Sequence, residues 1–116
     1  MFRHIFHPLR VQRGILTLPQ ALKQKDLLIV DVRSVEEVAA GNSCPGALNI
    51  PLNSIPTRIK EVAPDTTRPI VLYCAKGIRS KDAATFLKKI GYTNAFSATD
   101  GPSVQKLLET LDKQTI

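Results

Sequence analysis

The chain has 116 residues, enough for one domain with its own core and too few for two domains of ordinary size. Its 43% hydrophobic and 22% charged residues are the proportions of a soluble globule, and no apolar run reaches the roughly 20 residues of a membrane-spanning helix. The 16 Lys and Arg against 10 Asp and Glu give a charge of +6 and a pI near 9.6; with 4 Phe, 2 Tyr, no Trp and scattered lysines, that charge suits small anions better than nucleic acid.

Residues 1–13 show no clear period and read as an N-terminal arm that packs on the domain. The arm is basic, yet it lacks the apolar stretch and small-residue cleavage site of a secretory signal. It has no acidic residue, a transit-peptide trait, but no Ser either, so a cytoplasmic protein is expected. His4 and His7 stand without a neighbouring carboxylate or thiol and read as surface histidines rather than a metal pair. Ile15 and Leu16 are read as a short edge strand, followed by a helix capped by Thr17, with Pro19 in its first turn and Leu18, Ala21 and Leu22 facing inward.

The run Leu27-Leu28-Ile29-Val30 ends at Asp31, as in a parallel strand covered on both faces. Ser34 followed by Glu37 is a capping box opening a helix from Val35 to about Ala40. Asp31 and Arg33 fall at the strand's carboxyl end, where open α/β sheets hold ligands; the favoured reading is a structural ion pair, with direct substrate contact as the second. Residues 41–51 are turn, short strand and turn. Cys44, before Pro45, reads as a small apolar filler, with a resolving thiol as the alternative. Two cysteines make no disulfide framework and suit a reducing compartment. Ser54 to Val62 reads as a helix with Ile55, Ile59 and Val62 inward, and Arg58 turned either to solvent or to the site; residues 64–69 form an exposed loop.

Ile70-Val71-Leu72-Tyr73 then gives a buried strand, and from Arg79 the spacing becomes helical through Phe86, Leu87 and Ile90. Cys74 therefore sits at a strand-to-helix turn, where the first amides of a helix converge beside its sulfur. Lys76, Arg79 and Lys81 add cations against one nearby carboxylate, Asp82, and Gly77 stands where a tight loop needs positive φ. An isolated cysteine would be read as buried and inert; this surrounding favours a thiolate. Gly91 stops the helix, Asn94-Ala95-Phe96 forms a last strand, and Val104 to Leu111 a closing helix. Strands alternating with helices imply an α/β fold with a parallel sheet and right-handed crossovers.

Four blocks, Asp31-Val32-Arg33, Cys44-Pro45-Gly46-Ala47-Leu48-Asn49-Ile50-Pro51-Leu52, Tyr73-Cys74-Ala75-Lys76-Gly77-Ile78-Arg79-Ser80 and Gly91-Tyr92-Thr93-Asn94, resemble the single-domain rhodaneses in order and spacing. The resemblance covers most of residues 15–102. It implies one rhodanese-like domain over 14–116, an open parallel sheet of about five strands with helices on both faces, and no metal or organic cofactor. It also implies a sulfurtransferase in which Cys74 takes a sulfane sulfur from thiosulfate, holds it as a persulfide and passes it to cyanide or a thiol. Ala75, Lys76, Gly77, Ile78, Arg79 and Ser80 would bind the substrate: the loop amides stabilise the persulfide, Lys76 and Arg79 hold the donor's sulfonate end, and Ser80 caps the helix while donating to the sulfur. The alternative is a persulfide carrier loaded by a sulfur-relay protein, with little activity on free thiosulfate.

The chain departs from the family at three places. Ser43 replaces a histidine that mostly braces the fold, one residue is inserted after Gly41, and the usual Gly pair and Trp near the end become Asp100-Gly101-Pro102 with no Trp. Related tyrosine phosphatases place the loop arginine six positions after the cysteine; here position 80 is Ser80 and the arginine is Arg79, a loop too tight for a phosphate ester.

Overall fold

The computed structural model describes residues 13–114; the expected arm, apart from Arg13, and the readings of His4 and His7 lie outside the described residues. Arg13 itself is clamped between Asp26 at 2.7 Å and Asp65 at 3.1 Å.

Thr17 opens α1 (Leu18–Leu22) with a full capping box, its hydroxyl taking the Gln20 amide while the Gln20 side chain takes the Thr17 amide. Strand β1 (Leu28–Asp31) is buried along its whole length, as a continuous apolar run requires. Ser34 and Glu37 form the second capping box, at the start of α2 (Val35–Ala39). After β2 (Leu48–Asn49), one turn of 3-10 helix (Leu52–Ser54) leads into α3 (Ile55–Val62). Strand β3 (Ile70–Tyr73), α4 (Ile78–Lys89), β4 (Ala95–Ser97) and α5 (Gly101–Gln114) complete the chain.

The sheet is parallel throughout, in the order β2-β1-β3-β4, with Leu28 opposite Ile70 and Asp31 opposite Tyr73. Alternate residues feed two cores. Leu28, Val30, Ile70 and Leu72 meet Ile55 and Ile59 of α3 and Ala83, Ala84 and Leu87 of α4, while Ile29, Val71 and Tyr73 meet Leu22 of α1 and Val104, Leu108 and Leu111 of α5. From β1 the chain crosses to β2 on one side and then to β3 on the other. The direction of winding thus reverses between β1 and β3, and their carboxyl ends frame the crevice where such sheets hold ligands.

The described sheet has four strands rather than about five, because Ile15 and Leu16 pair with no strand. The Leu16 amide instead donates to Asn94 Oδ1 at 2.7 Å, and Asn94 Nδ2 donates to the Gly14 carbonyl at 3.2 Å. One buried side-chain amide thereby stands in for a backbone ladder, and two bonds hold the segment that a strand would have held by many.

Candidate active site

Strand β3 delivers Cys74 to the crevice, and the chain turns into α4 within three residues. The turn requires Gly77, which takes φ +98°, a conformation costly for any residue with a Cβ. Gly77 rather than Ser80 is the N-cap of α4; Ser80 lies inside the first turn, so the expected capping role falls to the glycine backbone.

Cys74 is only 2% exposed. The Gly77 amide donates to its Sγ at 3.0 Å, and the Ser80 hydroxyl lies 3.6 Å from it. Burial pushes the thiol up, but the backbone amides of Ser80, Lys76 and Gly77 together with the Ser80 hydroxyl outweigh it and lower the thiol to about 7. The thiolate is therefore accessible at neutral pH. This lowering comes from the amide donors that the sequence placed beside the sulfur and from the Ser80 hydroxyl; the cations of Lys76, Arg79 and Lys81, which the sequence offered as a second cause, are not among its main causes. Arg79 is held by Glu37 in a two-bond ion pair, at 2.6 and 2.9 Å, which spends much of its field locally.

Ser80 has no exposed surface. Its single hydroxyl sits within reach of the Ala98 carbonyl at 2.9 Å, the Gly77 carbonyl at 3.2 Å and the Ser97 hydroxyl at 2.9 Å, as well as the sulfur. It bridges the cysteine loop to the end of β4. Ile78 is 72% exposed, so only its backbone faces the turn. Lys76 is exposed and carries no ion pair among the described residues.

Beside the sulfur lies a pocket of about 210 Å³, lined by Arg33, Asn42, Cys74, Ala75, Asp100 and Pro102. Arg33 and Asp31 form the ion pair favoured from the sequence. The Arg33 Nε and Nη2 donate to the Asp31 carboxylate at 2.9 to 3.1 Å, Nη2 also reaches Ser43 Oγ at 3.2 Å, and Nη1 the Glu37 carbonyl at 3.4 Å. Ser43 thus braces the loop through Arg33. Opposite it, α5 begins against that same loop, a Cβ on Gly101 falling 2.4 Å from the Asn42 carbonyl oxygen. Arg58 is not among the pocket walls; it lies 3.5 Å from the Asn49 carbonyl.

Cys44 is buried in the second core, its amide donating to the Tyr73 hydroxyl at 2.9 Å, and burial raises its thiol. Both cysteines are free, and the filler reading of Cys44 fits this setting. Asn42, Asp100 and Pro102 as pocket walls, Ser97 behind Ser80, and Glu37 as the partner of Arg79 were not foreseen. Glu37 was legible only as a cap, since its second role depends on a contact 42 residues away.

Comparison with known proteins agrees with this geometry. The rhodanese-like domain family matches residues 16–103. A sulfurtransferase of Allochromatium vinosum is 38% identical over 77 residues, covering 66% of this chain and 69% of that protein. A putative sulfur carrier protein, YrkF of Bacillus subtilis, is 33% identical over 71% of this chain but only 45% of its own length. Against several other curated relatives the chain spans between about half and two thirds of their length. Among solved structures, a rhodanese with anions from E. coli superposes with a TM-score of 0.58 at 34% identity, over 63% of this chain and 85% of that one.

Proposed function

We propose that this chain, which belongs to the rhodanese-like domain family, is a thiosulfate sulfurtransferase whose carrier is a Cys74 persulfide. The observation that carries the reading is the sulfur itself: a thiol lowered to about 7, held by the Gly77 amide at 3.0 Å, at the wall of a pocket large enough for a small donor. The Cys74 thiolate attacks the outer sulfur of thiosulfate, the S–S bond breaks, and sulfite leaves with the electron pair. The terminal sulfur of the resulting persulfide is anionic and takes over the amide donors of residues 75–80. An acceptor, cyanide or a thiolate, then attacks that terminal sulfur and returns Cys74 to its thiolate. Lys76 attracts the donor anion. Arg79, tied to Glu37, orients the loop and still offers charge to a sulfonate. Residues 14–116 act as one domain, and two free, buried cysteines suit a reducing cytoplasm.

One observation favours a second reading. Ile78 and Val35, the first residues of α4 and α2, are 72% and 63% exposed at the sheet's carboxyl edge, so the mouth is open to a protein partner that would load Cys74 as a carrier. Purified protein separates the two. The sulfurtransferase reading expects thiosulfate:cyanide transfer that falls as ionic strength rises and vanishes in Cys74→Ser. No transfer from thiosulfate, with ready loading by a persulfidated cysteine desulfurase, would leave the carrier reading in its place.

A further inference from the structure

We propose that Asp100 makes the pocket beside Cys74 selective for acceptor thiols that carry an ammonium group, an inference that rests on the sulfurtransferase reading and names its acceptor class. Two ionic residues line the pocket, Arg33 and Asp100. Arg33 is already matched: Asp31 faces it through three close contacts of 2.9 to 3.1 Å, and its remaining donors are directed to Ser43 and the Glu37 carbonyl. The pair presents little net charge to the cavity.

Asp100 is not matched in this way. Its Oδ1 accepts the Ser103 amide at 2.8 Å, and bonding to Ser103 holds the carboxyl below its ordinary range, so it is ionised at neutral pH. No cationic side chain pairs with it among the described residues. The N-terminus of α5 offsets it by no more than about half a charge, which leaves a local negative charge at Asp100 on its side of the cavity. The exposed cation of the loop, Lys76, is not among the pocket's walls. The anionic donor and the acceptor are thus attracted by different groups: the donor by the loop cation, the acceptor by the carboxylate of the pocket. In the acceptor step a thiolate bearing a nearby ammonium attacks the outer persulfide sulfur. The bond to Cys74 breaks, Cys74 keeps the electron pair as thiolate, and the acceptor departs as its own persulfide, with no external oxidant or reductant.

Asp100→Asn tests this, because Asn caps a helix as well as Asp does and removes only the charge; Asp100→Ser is a second neutral cap. Two arms are read on each protein. One is thiol–disulfide exchange at Cys74, followed by mass spectrometry of the Cys74 peptide, with the cationic disulfide cystamine and the anionic dithiodipropionate. The other is sulfur transfer from thiosulfate to cysteamine and to mercaptopropionate. The expected result is that the rate ratio of cationic to anionic reagent falls at least about fivefold in both variants, the scale of one unit charge about 4 Å away at the dielectric of water. A ratio equal to wild type in both variants overturns the proposal. The exchange arm needs no persulfide, so a protein that thiosulfate fails to load but whose exchange ratio still falls would refute the sulfurtransferase reading and leave the charge selection of the pocket standing.

Discussion

Replacing Gly101 by Ala adds one methyl group at the point where α5 meets the loop that walls the pocket. The new Cβ would stand 2.4 Å from the Asn42 carbonyl oxygen, 2.9 Å from the Cys44 amide nitrogen and 3.1 Å from the Ser43 carbonyl carbon. All three neighbours are backbone, so no rotamer change relieves the clash, and the 42–44 loop or the helix must give by about 1 Å to reach ordinary contact near 3.4 Å. Overpacking of this kind costs about 1–3 kcal/mol, against which the better helix propensity of Ala returns at most about 1 kcal/mol. The loop is held from behind by Arg33 on Ser43 and by Tyr73 on the Cys44 amide, so its movement disturbs both. Urea unfolding should show a lower midpoint with an unchanged slope, a net loss of up to about 3 kcal/mol. Alkylation of Cys74 should change in rate as the pocket wall moves. A variant as stable as wild type, with unaltered alkylation, would refute the argument that the glycine is there for close approach.

Ser80→Ala should raise the Cys74 thiol above about 7, because the hydroxyl is one of the donors that lower it; the midpoint of alkylation rate against pH reads this directly, and an unmoved midpoint would assign the whole effect to the amides. Lys76→Ala should raise the KM for thiosulfate by the equivalent of about 1.5–3 kcal/mol while sparing transfer from preloaded protein; equal loss in both half-reactions would place Lys76 on the sulfur or in folding. Glu37 is held at about 2, chiefly by Arg79 and then by the Ser34 amide, against an ordinary 4.5, so its stabilisation is fully present above about 4.5 and is lost as pH falls from there toward 2. The stability difference between wild type and Glu37→Gln should therefore shrink through that window, and a difference independent of pH would count against the ion pair.

The elements that could be read ahead were those encoded by neighbours in sequence. The Thr17 cap, the Ser34–Glu37 capping box, the apolar runs of β1 and β3 and the positive φ of Gly77 need only a few adjacent residues to specify them, and each stands where the pattern put it. The failed edge strand shows the limit, since Ile15 and Leu16 have strand character but their partner is a side chain 78 residues away. The site divides in the same way. Cys74 and its loop amides were legible because one turn assembles them. The pocket was not, because its walls come from the ends of β1, the loop after α2 and the start of α5, which only the folded sheet brings together. Loop amides and nearby cations were both legible as causes of thiolate formation; Glu37, distant in sequence, takes up Arg79, and the amides with the Ser80 hydroxyl carry the lowering.

Mass spectrometry of the intact protein after exposure to thiosulfate, with the modified peptide located, tests the central claim most directly. The account predicts the gain of a single sulfur on Cys74, removable by cyanide and absent in Cys74→Ser, with Cys44 unmodified in its buried setting. Sulfur found on Cys44 alone, or no gain at all with the fold intact, would contradict it.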